Sequence, residues 1–298
     1  MLIYIADAFD KSLPGRLAQF GEVTEDPARL KDADVVLIRS KTKATKEYLD
    51  SAPKMKLIIR GGVGTDNIDK VHAKEKGILV KNTPKASGIA VAELAFAMMI
   101  AIPNQLITAH NALALEGKFL KKELKRTELS GKTLALVGMG NIAMELARRA
   151  AAFGMKVQGY DPMRKPGTYE CVEAKASVKE AFAGADFISL HVPLTDDTKG
   201  MINADTIGWM KEGVILVNTA RGKCIVENDL VAALQSGKVR GYAADVWTTE
   251  PPEPTCPLLK APNVLMCPHL GASSKENLLR IGNEVVELLT ELRNGGKI

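Results

Sequence analysis

Short runs of hydrophobic residues alternate with polar segments through the first hundred positions. The runs that qualify as candidate strands are residues 2–6, 35–39, 57–60 and 78–80. Between them lie helical or loop patterns, such as residues 13–20 and 45–52. Strands that alternate with crossover helices form parallel sheets, so this part of the chain is predicted to be a first α/β domain.

The second part of the chain repeats the alternation. It opens with an apolar run at residues 133–137, a glycine-rich break, a helical pattern over 142–153 and a strand over 155–160. Further strands are predicted at 187–192, 214–218, 241–246 and 263–267, and a last helix at 275–292. The whole pattern predicts an α/β protein with two doubly wound parallel-sheet domains. The apolar stretch 86–115, which Pro103 interrupts, is predicted to be a buried connector or a subunit interface.

The glycine-rich break, Gly138-Met-Gly-Asn-Ile-Ala143, has the spacing of a dinucleotide-binding turn. In such a turn Gly138 makes the bend, Gly140 lets the backbone approach a pyrophosphate, and a small residue, here Ala143, lets the helix pack on the strand. The amides of Asn141 and Ile142 would hold the pyrophosphate at the helix N-terminus. An ordinary tight loop is the alternative.

Asp161 follows the next predicted strand, where a carboxylate can accept from a ribose 2′-hydroxyl. Because this carboxylate would repel a 2′-phosphate, NAD is the predicted cofactor. Arg164 and Lys165 follow closely and could accept a 2′-phosphate, which leaves NADP as the alternative.

Composition limits the other classes of function. The 298 residues are 46% hydrophobic and 25% charged, as in ordinary globular proteins, and the net charge of +5 fits anionic small molecules. No run of eighteen apolar residues and no basic leader is present, so a cytoplasmic protein without membrane contact is expected. Basic residues are dispersed apart from 118–126, and no nucleic-acid motif is found. The four cysteines form no CxxC pair, so neither a disulfide framework nor a metal site is predicted.

A second glycine-rich loop, residues 60–69, follows the third predicted strand of the first domain. Ligands of open α/β sheets bind beyond the carboxyl ends of strands, and exposed backbone amides around Gly62, Val63 and Gly64 could hold a carboxylate. A plain turn is the alternative.

Three ionisable residues, Arg221, Glu250 and His269, each follow a predicted strand of the second domain. An arginine can bind a carboxylate with two hydrogen bonds and polarise the adjacent carbonyl. A histidine can donate or accept the proton that accompanies hydride transfer, and a glutamate bonded to it fixes its tautomer. Each residue alone has an ordinary structural explanation, but together they favour a catalytic site.

In its motifs the sequence resembles the D-isomer-specific 2-hydroxyacid dehydrogenases, and among them the phosphoglycerate-oxidising members most. The matching segments are residues 60–69, 138–143, 161–162, 217–222 (Val-Asn-Thr-Ala-Arg-Gly), 245–252 (Asp-Val-Trp-Thr-Thr-Glu-Pro-Pro) and 268–273 (Pro-His-Leu-Gly-Ala-Ser). Ala143 and Asn141 depart from the usual glycine and basic residue of the turn. The resemblance implies a flavodoxin-like substrate domain, residues 1–98 with 271–298, and a Rossmann NAD-binding domain, residues 99–270. It also implies catalysis between the domains and a homodimer formed through the NAD-binding domain.

The resemblance further implies roles for individual residues. Arg221 would bind the substrate carboxylate and carbonyl, His269 would be the general acid and base, and Glu250 would be its partner. The residues expected to line NAD are Gly138, Gly140, Asn141, Ile142, Asp161, His191, Val192, Pro193, Thr219, Ala220, Arg221, Asp245, His269, Gly271 and Ala272. The residues expected to bind substrate are Arg39, Arg60, Gly62, Val63, Gly64, Lys121, Arg221 and His269.

The implied reaction is the NAD-dependent oxidation of a D-2-hydroxy acid, with D-3-phosphoglycerate, a precursor of serine, expected first. Arg39 and Arg60 would supply the cations that a phosphate needs, and Lys121 would reach the substrate across the dimer. Because the chain stops after the last helix, it is expected to be a short form without a regulatory domain and without serine feedback. Glyoxylate, hydroxypyruvate or another unphosphorylated acid is the alternative substrate, and an NAD-sensing corepressor is the alternative of another class.

Overall fold

The computed structural model describes residues 1–298, and it divides into two compact units. The first unit is Met1–Ala90 with Ala272–Ile298, and the second is Val91–Gly271. The first division therefore falls between residues 90 and 91, whereas the sequence places it between 98 and 99. Both positions lie within one helix, Gly88–Ala101, in which no loop or composition change signals the division.

Thirteen strands and ten α-helices make up the two units. The strands are β1 (Leu2–Ile5), β2 (Glu22–Thr24), β3 (Val35–Ile38), β4 (Leu57–Arg60), β5 (Leu79–Asn82), β6 (Thr133–Val137), β7 (Lys156–Tyr160), β8 (Gly167–Tyr169), β9 (Val172–Ala174), β10 (Phe187–Leu190), β11 (Val214–Asn218), β12 (Val239–Ala244) and β13 (Val264–Met266). The helices are α1 (Leu13–Leu17), α2 (Lys46–Asp50), α3 (Lys70–Glu75), α4 (Gly88–Ala101), α5 (Leu106–Glu116), α6 (Asn141–Ala152), α7 (Val178–Phe182), α8 (Ala204–Gly208), α9 (Glu227–Ser236) and α10 (Lys275–Asn294).

The first unit is a five-stranded parallel sheet of order β2-β1-β3-β4-β5 with helices on both faces. On one face the sheet packs against Ile281, Val285 and Leu289 of α10. On the other it packs against Leu49 and Ala73 of the crossover helices. This order is that of flavodoxin-like sheets, as predicted.

The second unit is an eight-stranded sheet of order β13-β12-β11-β10-β6-β7-β9-β8, parallel except for β8. The order reverses between β6 and β10, which is the point where ligands of doubly wound sheets bind. Apolar clusters cover both faces, one centred on α6 and the other on α9. The predicted α/β class and the two parallel sheets are confirmed.

Several predicted strands extend one or two residues beyond the end of the observed strand. Arg39, His191 and Asp245 were placed within strands, but β3 ends at Ile38, β10 at Leu190 and β12 at Ala244. The side chains of Arg39 and Asp245 bond to neighbouring loops at these points, and that of His191 bonds back to Ser189 of β10. The short strands β2, β8 and β9 have too few apolar residues to be recognised in the sequence.

The apolar stretch 86–115 forms two helices, α4 and α5, with Pro103 in the turn between them. Gln105 precedes α5 in the left-handed region, with φ of 54°. No single helix is long and apolar enough to cross a membrane; only α4 and α5 counted together, across a 66° bend, meet that length and composition.

Candidate active site

The glycine-rich turn is built at the end of β6. Gly138 has φ of +86°, and its amide donates to Tyr160 O at 2.8 Å. A Cβ at Gly138 would lie 2.5 Å from His191 O. Both the backbone conformation and the close approach of the β10 end therefore require glycine here.

Helix α6 begins immediately after this turn with an uncapped N-terminus. Gly140 is its N-cap and supplies no side-chain hydrogen bond, and a Cβ at Gly140 would meet nothing within 4 Å. The first turn of a helix carries amides without intrahelical partners and the positive end of the helix dipole. Open space in front of such amides fits the pyrophosphate of a dinucleotide.

Asp161 closes the other side of the turn. Its Oδ2 accepts from the amide of Met139 at 2.8 Å, and its Oδ1 accepts from that of Met163 at 2.9 Å. The Arg164 guanidinium stacks on Tyr169, 4.9 Å from the ring centroid, and donates to Met139 O at 3.2 Å. The carboxylate thus lies beside the glycine-rich turn, where its contact with a ribose stays a prediction, and Arg164 is held beside the turn by contacts of its own.

His269 and Glu250 are brought together from two loops, although 19 positions separate them. Glu250 Oε2 lies 2.7 Å from His269 Nδ1, and Glu250 Oε1 accepts from the Trp247 amide at 3.3 Å. Burial disfavours the Glu250 carboxylate, but the hydrogen bond with His269, the charge of that ring and the Trp247 amide outweigh it and lower the pKa of Glu250. An ionised glutamate on Nδ1 leaves Nε2 as the nitrogen that can exchange a proton with a ligand.

Arg221 lies on the loop after β11, which buried Asn218 shapes. Asn218 Oδ1 accepts from the Ala220 amide and Nδ2 donates to Arg221 O, both at 3.0 Å. The Arg221 side chain donates to Ala220 O at 2.6 Å, and its charge contributes to the low pKa of Glu250. Glu250 therefore lies in contact with His269 and within electrostatic range of Arg221. In the same loop, buried Thr219 Oγ1 has no hydrogen-bond partner in the protein, which fits a ligand-facing position.

Two further residues predicted to line NAD have a structural role in the protein. Asp245 accepts from the amides of Leu270 and Gly271, at 2.7 and 2.9 Å, and burial raises the pKa of Asp245. His191 Nε2 lies 2.9 Å from Ser189 Oγ. Although part of the residue is exposed, desolvation lowers the pKa of His191 to about 3, so the ring is neutral. Beside it, Val192 is half-buried and Pro193 is exposed.

Arg39 has other partners than those expected from the sequence. Its Nη2 donates to Ala272 O at 3.0 Å and its Nη1 to Ala8 O at 3.3 Å. Burial lowers the pKa of Arg39, while nearby Asp7 acts in the opposite direction. The guanidinium thus binds backbone carbonyls, and Ala272, which was expected to line NAD, offers its carbonyl to Arg39 and to Asn277.

The backbone of the loop after β4 lies against the side chain of Arg60. Arg60 Nη1 lies 3.4 Å from Gly61 O, and a Cβ at Gly62 would overlap the Arg60 guanidinium. Asn82 Nδ2 donates to Val63 O at 2.6 Å, while Gly64 is half-buried. Lys121 is exposed, in a turn that follows α5. The substrate roles assigned to these residues stay predictions.

Sequence reasoning missed Asn218 and Trp247. Asn218 is fully buried at the end of β11, directly before the Thr-Ala-Arg segment, and a polar residue that ends an apolar strand is the signal that would have found it. Trp247 lies inside a recognised motif, but nothing in the sequence says what its indole N–H bonds to.

The second unit matches a known family model over residues 96–271, described as the D-isomer specific 2-hydroxyacid dehydrogenase, NAD binding domain. The chain belongs to this family. As a family member it is an NAD-dependent D-2-hydroxyacid dehydrogenase, which confirms the predicted enzyme class and cofactor.

This dehydrogenase is 49% identical to the hydroxypyruvate reductase of Thermotoga maritima over 258 residues, which are 86% of this chain and 83% of the relative. It is 44% identical to the D-3-phosphoglycerate dehydrogenase of Methanocaldococcus jannaschii over 269 residues, 90% of this chain. The match covers 51% of that relative, so the chain spans about half its length. Among solved structures, a D-lactate dehydrogenase from Aquifex aeolicus, complexed with NAD and lactic acid, superposes with a TM-score of 0.84 at 30% identity. That match covers 100% of this chain and 97% of the other.

Proposed function

We propose that this dehydrogenase reduces hydroxypyruvate to D-glycerate with NADH, and that Arg221, Glu250 and His269 carry the reaction. The observation that supports the chemistry is the 2.7 Å contact between Glu250 and His269, within electrostatic range of Arg221. A 2-oxo acid offers one carboxylate and one carbonyl, which are the groups that an arginine and a protonated histidine bind best.

Each side chain has one task in the proposed reduction. Arg221 binds the substrate carboxylate and polarises the C2 carbonyl. Protonated His269 donates from Nε2 to the C2 oxygen, and ionised Glu250 holds the ring by Nδ1 and stabilises its charge. The turn 138–142 and Asp161 would hold the cofactor, and when bound, NADH supplies the hydride for C2. In the oxidation direction His269 accepts the hydroxyl proton.

The choice of an unphosphorylated substrate rests on Arg39 and on the relatives. A phosphate site needs several cations with donors directed toward the ligand, but the Arg39 guanidinium is engaged by two backbone carbonyls. The relative that the chain covers along most of its length is named hydroxypyruvate reductase. D-3-phosphoglycerate is the second candidate, favoured by the 44% identity to a phosphoglycerate dehydrogenase and by Arg60 and Lys121.

The test is a side-by-side measurement of NADH oxidation with hydroxypyruvate, glyoxylate, pyruvate and 3-phosphohydroxypyruvate. We expect the highest kcat/KM for hydroxypyruvate. A preference for the phosphorylated acid would instead support phosphoglycerate oxidation, with NAD and D-3-phosphoglycerate as the confirming reverse reaction. If NADH binds but no 2-oxo acid turns over, a sensing role such as that of a corepressor would replace catalysis.

We also propose that the enzyme is a homodimer joined through α5 of the second unit. The helix and the segment after it leave large apolar side chains half or more exposed: Leu106, Ile107, Leu113, Leu115 and Phe119. Beside them lies a groove of about 890 Å³, lined by the α4–α5 turn and by the edge strand β13. An apolar face next to an open sheet edge is typical of a surface that a second copy covers.

Light scattering after size exclusion tests this assembly. We expect Leu113→Glu with Leu115→Glu to give a monomer at micromolar concentration, because two carboxylates would be buried without partners. Val71→Glu, at an equally exposed apolar position on α3, is the matched control and should leave the dimer intact. A monomeric wild-type protein would remove the proposal.

A further inference from the structure

The loop that carries His269 is held by three residues at and after the end of β12: Ala244, Asp245 and Trp247. Ala244 O accepts from the Cys267 amide at 2.8 Å, and the Asp245 carboxylate accepts from the two amides that follow His269. The third residue, Trp247, donates from its indole Nε1 to Cys267 O at 3.0 Å. These bonds hold the backbone both before His269, at Cys267, and after it, at Leu270 and Gly271.

His269 itself has a backbone conformation that needs such support. Its φ is +57°, in the left-handed region, where residues other than glycine are uncommon. A conformation of this kind persists only where the surrounding structure imposes it. The direction of the imidazole therefore depends on the bonds to positions 267, 270 and 271.

Trp247 differs from Ala244 and Asp245 because it also contacts the other two catalytic loops. Its amide donates to Glu250 Oε1 at 3.3 Å. Its backbone packs against Gly222, the neighbour of Arg221, so closely that a Cβ at Gly222 would overlap Trp247 C and O. One residue thus contacts the loops of Arg221, Glu250 and His269.

The Trp247 side chain is placed to support these loops rather than to meet a ligand. It is 8% exposed and packs in the apolar cluster that contains Tyr242 and Leu258. A buried indole N–H requires an acceptor, and Cys267 O is the one that this structure provides. Trp209, the other tryptophan of the chain, is 39% exposed and lies under the Lys179 ammonium.

We propose that Trp247 is a positioning residue, whose indole N–H fixes the His269 loop relative to Glu250 and Arg221. The inference rests on the proposed function of those three residues. The indole touches no reacting atom and acts through His269. Phenylalanine would keep most of the packing but cannot donate to Cys267 O.

Trp247→Phe and the control Trp209→Phe provide the first test, with hydroxypyruvate and NADH. We expect Trp247→Phe to lower kcat about tenfold, because a catalytic group displaced by a fraction of an ångström loses much of its effect. NADH affinity should stay within about twofold in both variants, and Trp209→Phe should keep the wild-type kcat. Equal kcat values for the two variants would overturn the proposal.

A double-mutant cycle with Glu250→Gln separates positioning from general weakening of the fold. If Trp247 acts through the His269–Glu250 pair, Trp247→Phe should lower the residual turnover of Glu250→Gln by less than about twofold. A full tenfold loss in that background would mean that Trp247 acts elsewhere, and would overturn the inference.

Hydrogen exchange gives a readout that does not need activity. The peptide that covers residues 267–272 should exchange faster in Trp247→Phe than in wild type or Trp209→Phe, and unchanged exchange there would contradict the proposal. If no 2-oxo acid turns over in wild type while exchange changes as expected, the proposed function fails and the positioning of the loop stands. Should Trp247→Phe fail to fold, 3-benzothienylalanine at position 247, which replaces the ring N–H by sulfur, removes the same donor at nearly constant shape.

Discussion

Two glycine-rich loops follow strands in this protein, one in each unit, and they look alike in sequence but differ in structure. The loop after β4 folds onto its own Arg60, and a Cβ at Gly62 would overlap that side chain. The turn after β6 leaves open space at Gly140, in front of a helix N-terminus without a side-chain cap. Glycine content therefore identifies a tight backbone, whereas open space before a helix N-terminus identifies the place for an anion.

The same contrast separates two arginines that the sequence treats alike. Arg39 follows β3 and Arg221 follows β11, each at the carboxyl end of a parallel strand. Arg39 donates to Ala8 O and Ala272 O, which are distant in sequence, whereas Arg221 donates to the adjacent Ala220 O and lies within electrostatic range of Glu250. We therefore expect Arg39 to stabilise its unit and Arg221 to serve the reaction.

The largest effect is expected from His269→Ala. Loss of the proton donor should lower kcat by roughly 100- to 10,000-fold, while NADH still binds, because general acid catalysis contributes about that much. Stopped-flow turnover and NADH fluorescence titration measure the two quantities. His72→Ala, which removes a histidine bound to Asp50 in the first unit, should keep the wild-type kcat. Turnover that survives His269→Ala would remove the acid–base assignment.

The same substitution at both arginines tests the second comparison. Arg221→Met should lower kcat/KM for hydroxypyruvate by roughly 100-fold, since hydrogen bonds to charged groups contribute about 1.5–3 kcal/mol. It should lower the free energy of unfolding by less than Arg39→Met does, because its bond to Ala220 O is to the adjacent residue. Arg39→Met should lower the free energy of unfolding by about 1–3 kcal/mol, because two acceptors lose their donor.

The substrate preference of Arg39→Met tests whether Arg39 also binds a substrate phosphate. We expect Arg39→Met to leave the ratio of kcat/KM between 3-phosphohydroxypyruvate and hydroxypyruvate unchanged. A selective loss with the phosphorylated acid would show that Arg39 binds phosphate, and would return the second candidate substrate to first place.

The sequence was sufficient where local chemistry decides the structure. Apolar runs predicted the parallel sheets, and the glycine spacing predicted the turn at Gly138 because both signals are local. The sequence could not predict the hydrogen-bond partners of Arg39 or the acceptor of the Trp247 indole, because each bond joins residues 20 or more positions apart. The short strands β2, β8 and β9 were missed because the sheet, and not their own residues, makes them strands.

A pair of glycine substitutions sharpens the comparison of the two loops. Gly138→Ala should lower the free energy of unfolding by about 1–2 kcal/mol or more, because alanine is strained at φ of +86° and would meet His191 O. Gly140→Ala, at φ of −78° and in open space, should fold normally. NADH affinity should nevertheless fall about tenfold or more in Gly140→Ala, where a methyl group would stand between the helix and the pyrophosphate. Wild-type NADH affinity in Gly140→Ala would mean that the cofactor does not approach this backbone.

Acid stability distinguishes the two units by one titratable group in each, the desolvated His191 and the exposed Asp50. Burial lowers the pKa of His191 in the second unit to about 3, from 6.5, so the unfolded chain binds the proton more readily than the folded one. The free energy of unfolding is therefore not reduced by His191 above about pH 6.5. As the pH falls from 6.5 toward 3, it decreases by up to about 1.4 kcal/mol per pH unit. In the first unit, hydrogen bonds from Lys76 and His72 lower the pKa of Asp50 to about 2, so its contribution is lost only below about pH 4.

Urea unfolding of wild type and His191→Gln between pH 7 and pH 4 tests this difference. We expect a flatter dependence of unfolding free energy on pH in His191→Gln, whereas the exposed His110→Gln should follow wild type. Hydrogen exchange should locate the wild-type loss in the second unit, around β10, before the first unit responds. Equal pH dependence in wild type and His191→Gln would mean that the His191 ring is hydrated well enough to accept a proton in the folded state. Water would then reach the turn at Gly138, although the Gly138 backbone packs closely against His191 O.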